Sequence, residues 1–125
     1  MQKLEFESSW AKALSSKDRE EIEKTFLETS NTENHDLLLS PIWQAINHKG
    51  ELLITVLVHN FTQQVITFNQ TRLAYIENNK IIAQSTFTLP TLSIPPSISM
   101  PWTFIFSVDS LKSPAKLNSG SLEIV

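Results

Sequence analysis

The sequence predicts a mainly β protein: an immunoglobulin-like β-sandwich of about 5–7 antiparallel strands with an N-terminal helical segment. Two observations support this fold class. Apolar residues recur at helical spacing up to about residue 30, and from residue 37 onward they alternate in short runs separated by polar turns. The 125 residues suit one domain. We therefore expect a helical segment over 1–36 packed on the same domain, a sandwich over 37–111 and a loose C-terminal tail over 112–125.

Two helices are predicted in the N-terminal segment, a short one near 8–14 and a firmer one near 16–28. Ser15 followed three residues later by Asp18 resembles a capping box, and further acidic residues crowd the start of the second helix, where the helix dipole favours them. The apolar residues of both helices form a stripe that must be buried, either on the sandwich or on a partner, and we expect the sandwich. The stripe supplies the candidate partner-binding residues, which are Trp10, Leu14, Ile22 and Phe26.

The central strands follow from the period-two pattern. The run Leu52–Val58 is apolar on both faces, which suits an interior strand. Ile42–Asn47 is predicted as the preceding strand, joined to it by a turn at 48–50. Asparagine must occupy most left-handed positions, because the chain has only two glycines. We therefore predict turns around Asn69-Gln70 and at Asn78-Asn79, the latter between strands 73–76 and 81–87.

The clearest strand is Ile98–Val108, because its large apolar residues recur at every second position. One face is predicted to carry Ile98, Met100, Trp102, Phe104, Phe106 and Val108. Pro95-Pro96 cannot lie within a central strand and marks a crossing between sheets or an edge. Trp43 and Trp102 are expected in the core, since large aromatic side chains dominate sandwich cores.

Composition excludes several classes of function. Residues 1–40 carry five Lys or Arg against nine Asp or Glu, and residues 41–125 carry five against four, so no basic stripe is available for nucleic acid. The absence of cysteine excludes disulfide scaffolds, thiolate catalysis and Fe–S clusters. The apolar runs are too short for a transmembrane segment, and the first residues lack the pattern of a signal peptide. We expect a cytoplasmic location.

The ionisable residues do not form a motif that indicates an enzyme. A zinc site without cysteine would need His35, His48 and His59 to converge, and the sequence places them in a linker, a turn and a strand end. No glycine-rich phosphate loop, nucleophile elbow or H-E-x-x-H motif is present. We expect a protein that is not an enzyme and has no catalytic residues, cofactor or metal.

Four stretches together resemble a known family. Residues 43–52, 94–96 and 101–106, with the opening at 14–20, resemble the SLAP domain of accessory Sec system S-layer assembly proteins of Bacillus-type Firmicutes, where it commonly occurs in tandem. The resemblance covers roughly residues 14–111 and rests on structural motifs. It implies an accessory factor that helps the dedicated Sec translocase ATPase export S-layer proteins, at the periphery of the secretion machinery. This chain has one copy where the assembly protein has two.

Two hypotheses of function remain from the sequence. The first is a SLAP-type protein-interaction module whose partner is a secretion component, a client or a second copy of itself, with strand addition at an open sheet edge as one mode. The second is a small-ligand or carbohydrate-binding sandwich that uses exposed tryptophan. The sequence leaves the binding face and the oligomeric state open.

Overall fold

Two β-sheets and a helical segment make up residues 1–31 and 35–125, the part that the structure, a computed structural model, describes. In chain order the elements are β1 (Lys3–Leu4), α1 (Ser8–Ala13), α2 (Ser16–Thr29), β2 (Leu37–Ile46), β3 (Leu52–Asn60), β4 (Ile66–Glu77), β5 (Lys80–Ile94), β6 (Ile98–Phe106), a 3-10 turn (Val108–Ser110) and β7 (Gly120–Ile124). The four-stranded sheet has the strand order β1-β6-β3-β2 and the three-stranded sheet the order β5-β4-β7. The predicted sandwich and N-terminal helical segment are confirmed.

Both helices begin and end close to the predicted positions because their caps are encoded locally. The Ser15 side chain accepts a hydrogen bond from the Asp18 amide at 3.1 Å, as the capping pattern predicts. The Glu7 carboxylate caps α1 by accepting from the Ser9 amide, a cap that the sequence analysis did not identify. Sequence reasoning also missed β1, which pairs with β6 in parallel, so the four-stranded sheet is not wholly antiparallel.

Strand β3 is the interior strand of its sheet, as predicted. It lies between β2 and β6, and every residue except the half-buried Leu53 is buried. Strand β2 begins at Leu37, five residues before the predicted start, and its register shifts between Pro41 and Trp43. The shift corrects one expectation. Trp43 lies opposite Thr55, on the outer face of the sheet rather than in the core.

Of the two predicted asparagine turns, one is confirmed and one is wrong. Asn78 and Asn79 have φ angles of 49° and 63° and close the β4–β5 hairpin, the geometry that a two-residue turn needs. Asn69-Gln70, in contrast, lies within β4, where the pairing skips from Phe68 to Thr71. The interruption is a bulge: Gln70 takes a left-handed φ of 51° and its amide donates to the Thr88 hydroxyl.

The core forms where β6 faces β4 and β5. Phe104 is 1% exposed, and its ring lies 5.4 Å from that of Phe68 and 5.3 Å from that of Phe87. Trp102 is half-buried and packs against this core. The strand ends two residues early, so Val108, predicted on the same face, lies in the 3-10 turn and is 51% exposed.

The connection between the two sheets follows the prediction, whereas the C-terminal tail follows it only in part. Pro95-Pro96 connects β5 in one sheet to β6 in the other, which confirms a crossing between sheets. The tail over 112–125 is not loose throughout, because Gly120–Ile124 forms β7 and pairs with β4. Gly120 is required there by close approach, since a Cβ atom at this position would lie 2.1 Å from the Tyr75 hydroxyl oxygen.

Candidate interaction surfaces

The structure divides the predicted partner-binding stripe into an inner and an outer half. Ile22 is fully buried and Phe26 is half-buried on the face of α2 that packs against β2 and β3. Trp10 and Leu14 are half-buried at α1, where no residue of the helix is fully buried. The four residues therefore do not form one surface, and the inner pair is used within the chain.

The outer half of the stripe lines a shallow groove that we call the α1 groove. Ser9, Trp10, Ala13 and Leu14 enclose a volume of about 370 Å³. Apolar side chains make up most of this lining, and the neighbouring turn is fixed by the two helix caps described above. A partly exposed tryptophan on a preorganised helix is the kind of residue that anchors protein interfaces.

His59 joins the helical segment to the sandwich, a role that the sequence analysis did not recognise. Its Nδ1 atom lies 2.6 Å from the Ser99 hydroxyl oxygen, and its Nε2 atom lies 2.7 Å from that of Thr29 at the end of α2. The ring stacks on Phe61 at 5.3 Å and lies 6.5 Å from the ring of Phe26. Burial lowers the pKa of His59 to about 4, so the ring is neutral at pH 7.

Asn60 extends this junction to the N-terminal strand. Its side-chain amide donates to the carbonyls of Gln64, Ile94 and Pro95. The Gln2 amide donates to the Asn60 carbonyl and to the Ser99 hydroxyl, both at 3.1 Å. These bonds hold β1, β3 and the β5–β6 crossing together.

The buried histidine makes stability depend on pH. The pKa of His59 is about 4 in the folded chain and about 6.5 when unfolded, so between these values the unfolded state binds more protons. The contribution of neutral His59 to the free energy of unfolding is therefore present in full above about pH 6.5, and it is lost as the pH falls toward 4. We expect a loss of up to about 3 kcal/mol over that window.

Urea unfolding across this pH range measures the effect. A His59→Gln variant should flatten the pH dependence, whereas His48→Gln, at an exposed turn position, should preserve it. Equal slopes for the wild-type chain and His59→Gln would contradict the assignment of the titration to His59.

Glu77 is the second buried ionisable anchor, at the C-terminal side of the sandwich. It is 3% exposed, and its carboxylate accepts from the Lys116 and Leu117 amides and from the Tyr75 hydroxyl, each at 2.9 Å. Burial alone would raise the pKa of Glu77, but these hydrogen bonds outweigh it and hold the pKa below its ordinary value. The carboxylate thereby fixes the loop before β7, in which Leu117 takes a left-handed φ of 63°.

The remaining candidate residues lie apart from one another. His35 and His48 are exposed and His59 is buried, and among residues 1–31 and 35–125 no group of three His, Asp or Glu side chains is placed to hold a metal. Trp10, Trp43 and Trp102 are each half-buried. Within the described ranges, no helix is both long and apolar enough to span a membrane.

Comparison with models of known protein families gave a match over nearly the whole chain. A family model of the SLAP domain matches residues 4–123. The chain belongs to the SLAP domain family. Neither the comparison with curated proteins nor that with solved structures gave a match. The matched span runs from β1 to β7, so the SLAP domain includes the helical segment and the last strand, beyond the 14–111 that the motifs covered.

Proposed function

We propose that this SLAP domain is a non-enzymatic protein-interaction module that assists the accessory Sec translocase ATPase in the export of S-layer proteins. The observation that carries the proposal is the family match over residues 4–123, because the name of the family refers to the accessory Sec system. The module would work from the cytoplasmic side, at the periphery of the secretion machinery. Its partner would be a component of that machinery or its client.

The chemistry of the buried groups supports a binding role. His59 and Glu77 both use their polar atoms in hydrogen bonds that join one part of the fold to another. The His59 ring is held between the hydroxyl groups of Ser99 and Thr29, and the Glu77 carboxylate is held by two backbone amides and the buried Tyr75 hydroxyl, so both groups are engaged within the fold. Their function is to hold the two ends of the chain on the sandwich.

The α1 groove supports a protein partner. Trp10 and Leu14 keep part of their apolar surface outside the fold, while Ile22 fixes the following helix from below. A partner side chain entering the groove would gain apolar contact without reorganising the domain. A carbohydrate platform is less well supported, because Trp43 and Trp102 lie on opposite faces of their sheet and Trp10 lies on α1, so the three do not form one stacking surface.

The proposal is tested by binding of the purified chain to the accessory Sec ATPase, alone and with an S-layer precursor. We expect binding by the wild-type chain and a roughly 30-fold weaker affinity for Trp10→Ala, the effect of removing a tryptophan anchor. Leu27→Ala is the matched control, because Leu27 is 74% exposed on the neighbouring helix. Absence of binding to both proteins would overturn the proposed function, and equal binding of Trp10→Ala would remove the α1 groove from it.

A further inference from the structure

Strand β6 is an open edge over most of its length. The two residues of β1 pair with it only at Ile98 and Ser99. The Lys3 amide donates to the Ser97 carbonyl at 3.0 Å and the Glu5 amide to the Ser99 carbonyl at 2.9 Å, and the chain then leaves the sheet to enter α1. Beyond Ser99, β6 pairs with β3 on one side, and no described strand pairs with it on the other.

The direction of the free backbone groups follows from that pairing. Along a strand the backbone groups of successive residues point to opposite sides, and those of Ser97 and Ser99 point toward β1. The groups of Thr103 and Ile105 therefore point to the same open side. Pro101 shares this direction but has no N–H to donate. Ile105 is 50% exposed and Thr103 is half-buried, so this end of the edge is accessible.

An apolar groove lies beside the open edge, between β5 and β6, and we call it the β5–β6 groove. It encloses about 250 Å³ and is lined by Phe87, Leu89, Trp102, Thr103, Phe104 and Ile105. A strand added to β6 would direct alternate side chains toward this groove and the others toward the outer face of the sheet. The site thus combines unpaired strand backbone with an apolar pocket, the two parts of recognition by strand addition.

We propose that the β6 edge binds an extended segment of another polypeptide, with apolar side chains at alternate positions, as a strand that continues the position of β1. The partner must be extended because β1 already fills the adjoining stretch of this edge as a strand, so the new interface is continuous with an existing one. The partner strand must be apolar on the face that meets the β5–β6 groove, because the lining of that groove is apolar. The inference rests on the proposed function and names a chemical class of client: an unfolded, β-prone segment.

A second copy of this chain fits the edge less well. If two β6 edges paired antiparallel about Thr103, Pro101 of one copy would face Ile105 of the other. Pro101 cannot return the hydrogen bond that the Ile105 carbonyl would need, so each flanking pair would lose a bond. A partner strand that pairs with Thr103 and Ile105 and ends before Pro101 avoids this loss.

The test uses the full chain and a short synthetic peptide of alternating valine and threonine, flanked by lysines for solubility. We expect the Thr103 and Ile105 amide signals to shift in NMR spectra of the chain when the peptide is added. The same peptide with N-methylated backbone amides should bind roughly tenfold more weakly or not at all, since it cannot complete the ladder.

Variants of the chain locate the binding. Ile105→Pro removes the outward amide and should abolish binding, whereas Ile105→Thr keeps that amide and should preserve it. Should Ile105→Pro fail to fold, Leu89→Ala tests the groove from β5 and should weaken binding by roughly tenfold. The proposal would be overturned by the absence of binding to the wild-type chain, or by undiminished binding to folded Ile105→Pro or to Leu89→Ala. A dimer in sedimentation with protected Thr103 and Ile105 amides would also overturn it. Binding to the Sec ATPase and its dependence on Trp10 are measured in a separate assay. The proposed function can therefore stand if this inference fails.

Discussion

Replacing Phe104 by alanine is expected to lower the free energy of unfolding by about 3–5 kcal/mol. Phe104 is 1% exposed, and its ring contacts those of Phe68 and Phe87 where the two sheets meet. Truncation removes buried apolar surface and two aromatic contacts, and it leaves a cavity that the surrounding strands can fill only in part. Chemical denaturation of both chains measures the difference. A loss of this size is a large share of the stability of a typical domain.

The adjacent residue provides a matched control for Phe104. Ile105 lies on the same strand with its side chain on the opposite face and is 50% exposed, so Ile105→Ala should cost less than about 1 kcal/mol. If Phe104→Ala also cost less than about 1 kcal/mol, the face of β6 would be assigned to the wrong side of the sheet, as in a register slip by one residue.

Deleting residues 1–30 is expected to cause a clear loss of thermal stability and to expose an aggregation-prone surface. The deletion removes β1 from the edge of β6 and removes α2 from the outer face of β2 and β3. Leu57 and His59, now fully buried on that face of β3, would lose this cover. A thermal melt followed by circular dichroism measures the loss, and an unchanged melting curve would show that the helical segment does not stabilise the sandwich.

A point substitution measures the contribution of α2 packing to stability without removing any part of the chain. Ile22→Ala should cost about 2–5 kcal/mol, because Ile22 is fully buried between the helix and the sheet. Leu27→Ala, on the same helix but 74% exposed, should have little effect. Similar melting temperatures for these two variants would contradict the inward orientation of Ile22.

The elements that the sequence predicted well are those whose signals are local. The Ser15 cap, the apolar run of β3 and the Asn78-Asn79 hairpin each depend on residues within a few positions of one another. Their physical causes can therefore be read from a short stretch of sequence. The same holds for the crossing at Pro95-Pro96, because two consecutive prolines have no N–H groups to donate to a strand ladder.

The features that the sequence did not predict depend on distant contacts. Asn69-Gln70 resembles a turn, but pairing with β5 continues on either side of it and turns it into a bulge. Strand β7 pairs with β4, and the loop before it is held by Glu77, about forty residues earlier in the chain. His59 resembles an ordinary strand-end histidine until α2 brings Thr29 to its ring. The division of the apolar stripe between Ile22 and Trp10 likewise depends on where α2 docks.

Hydrogen exchange of the chain with and without the accessory Sec ATPase tests most directly whether this SLAP domain is a preorganised interaction module. We expect added protection at the amides of α1 around Trp10, and unchanged exchange at the buried amides of β3, which belong to the core in both states. Unchanged exchange around α1, or protection that appears across β3 because the sandwich itself refolds on binding, would contradict the account.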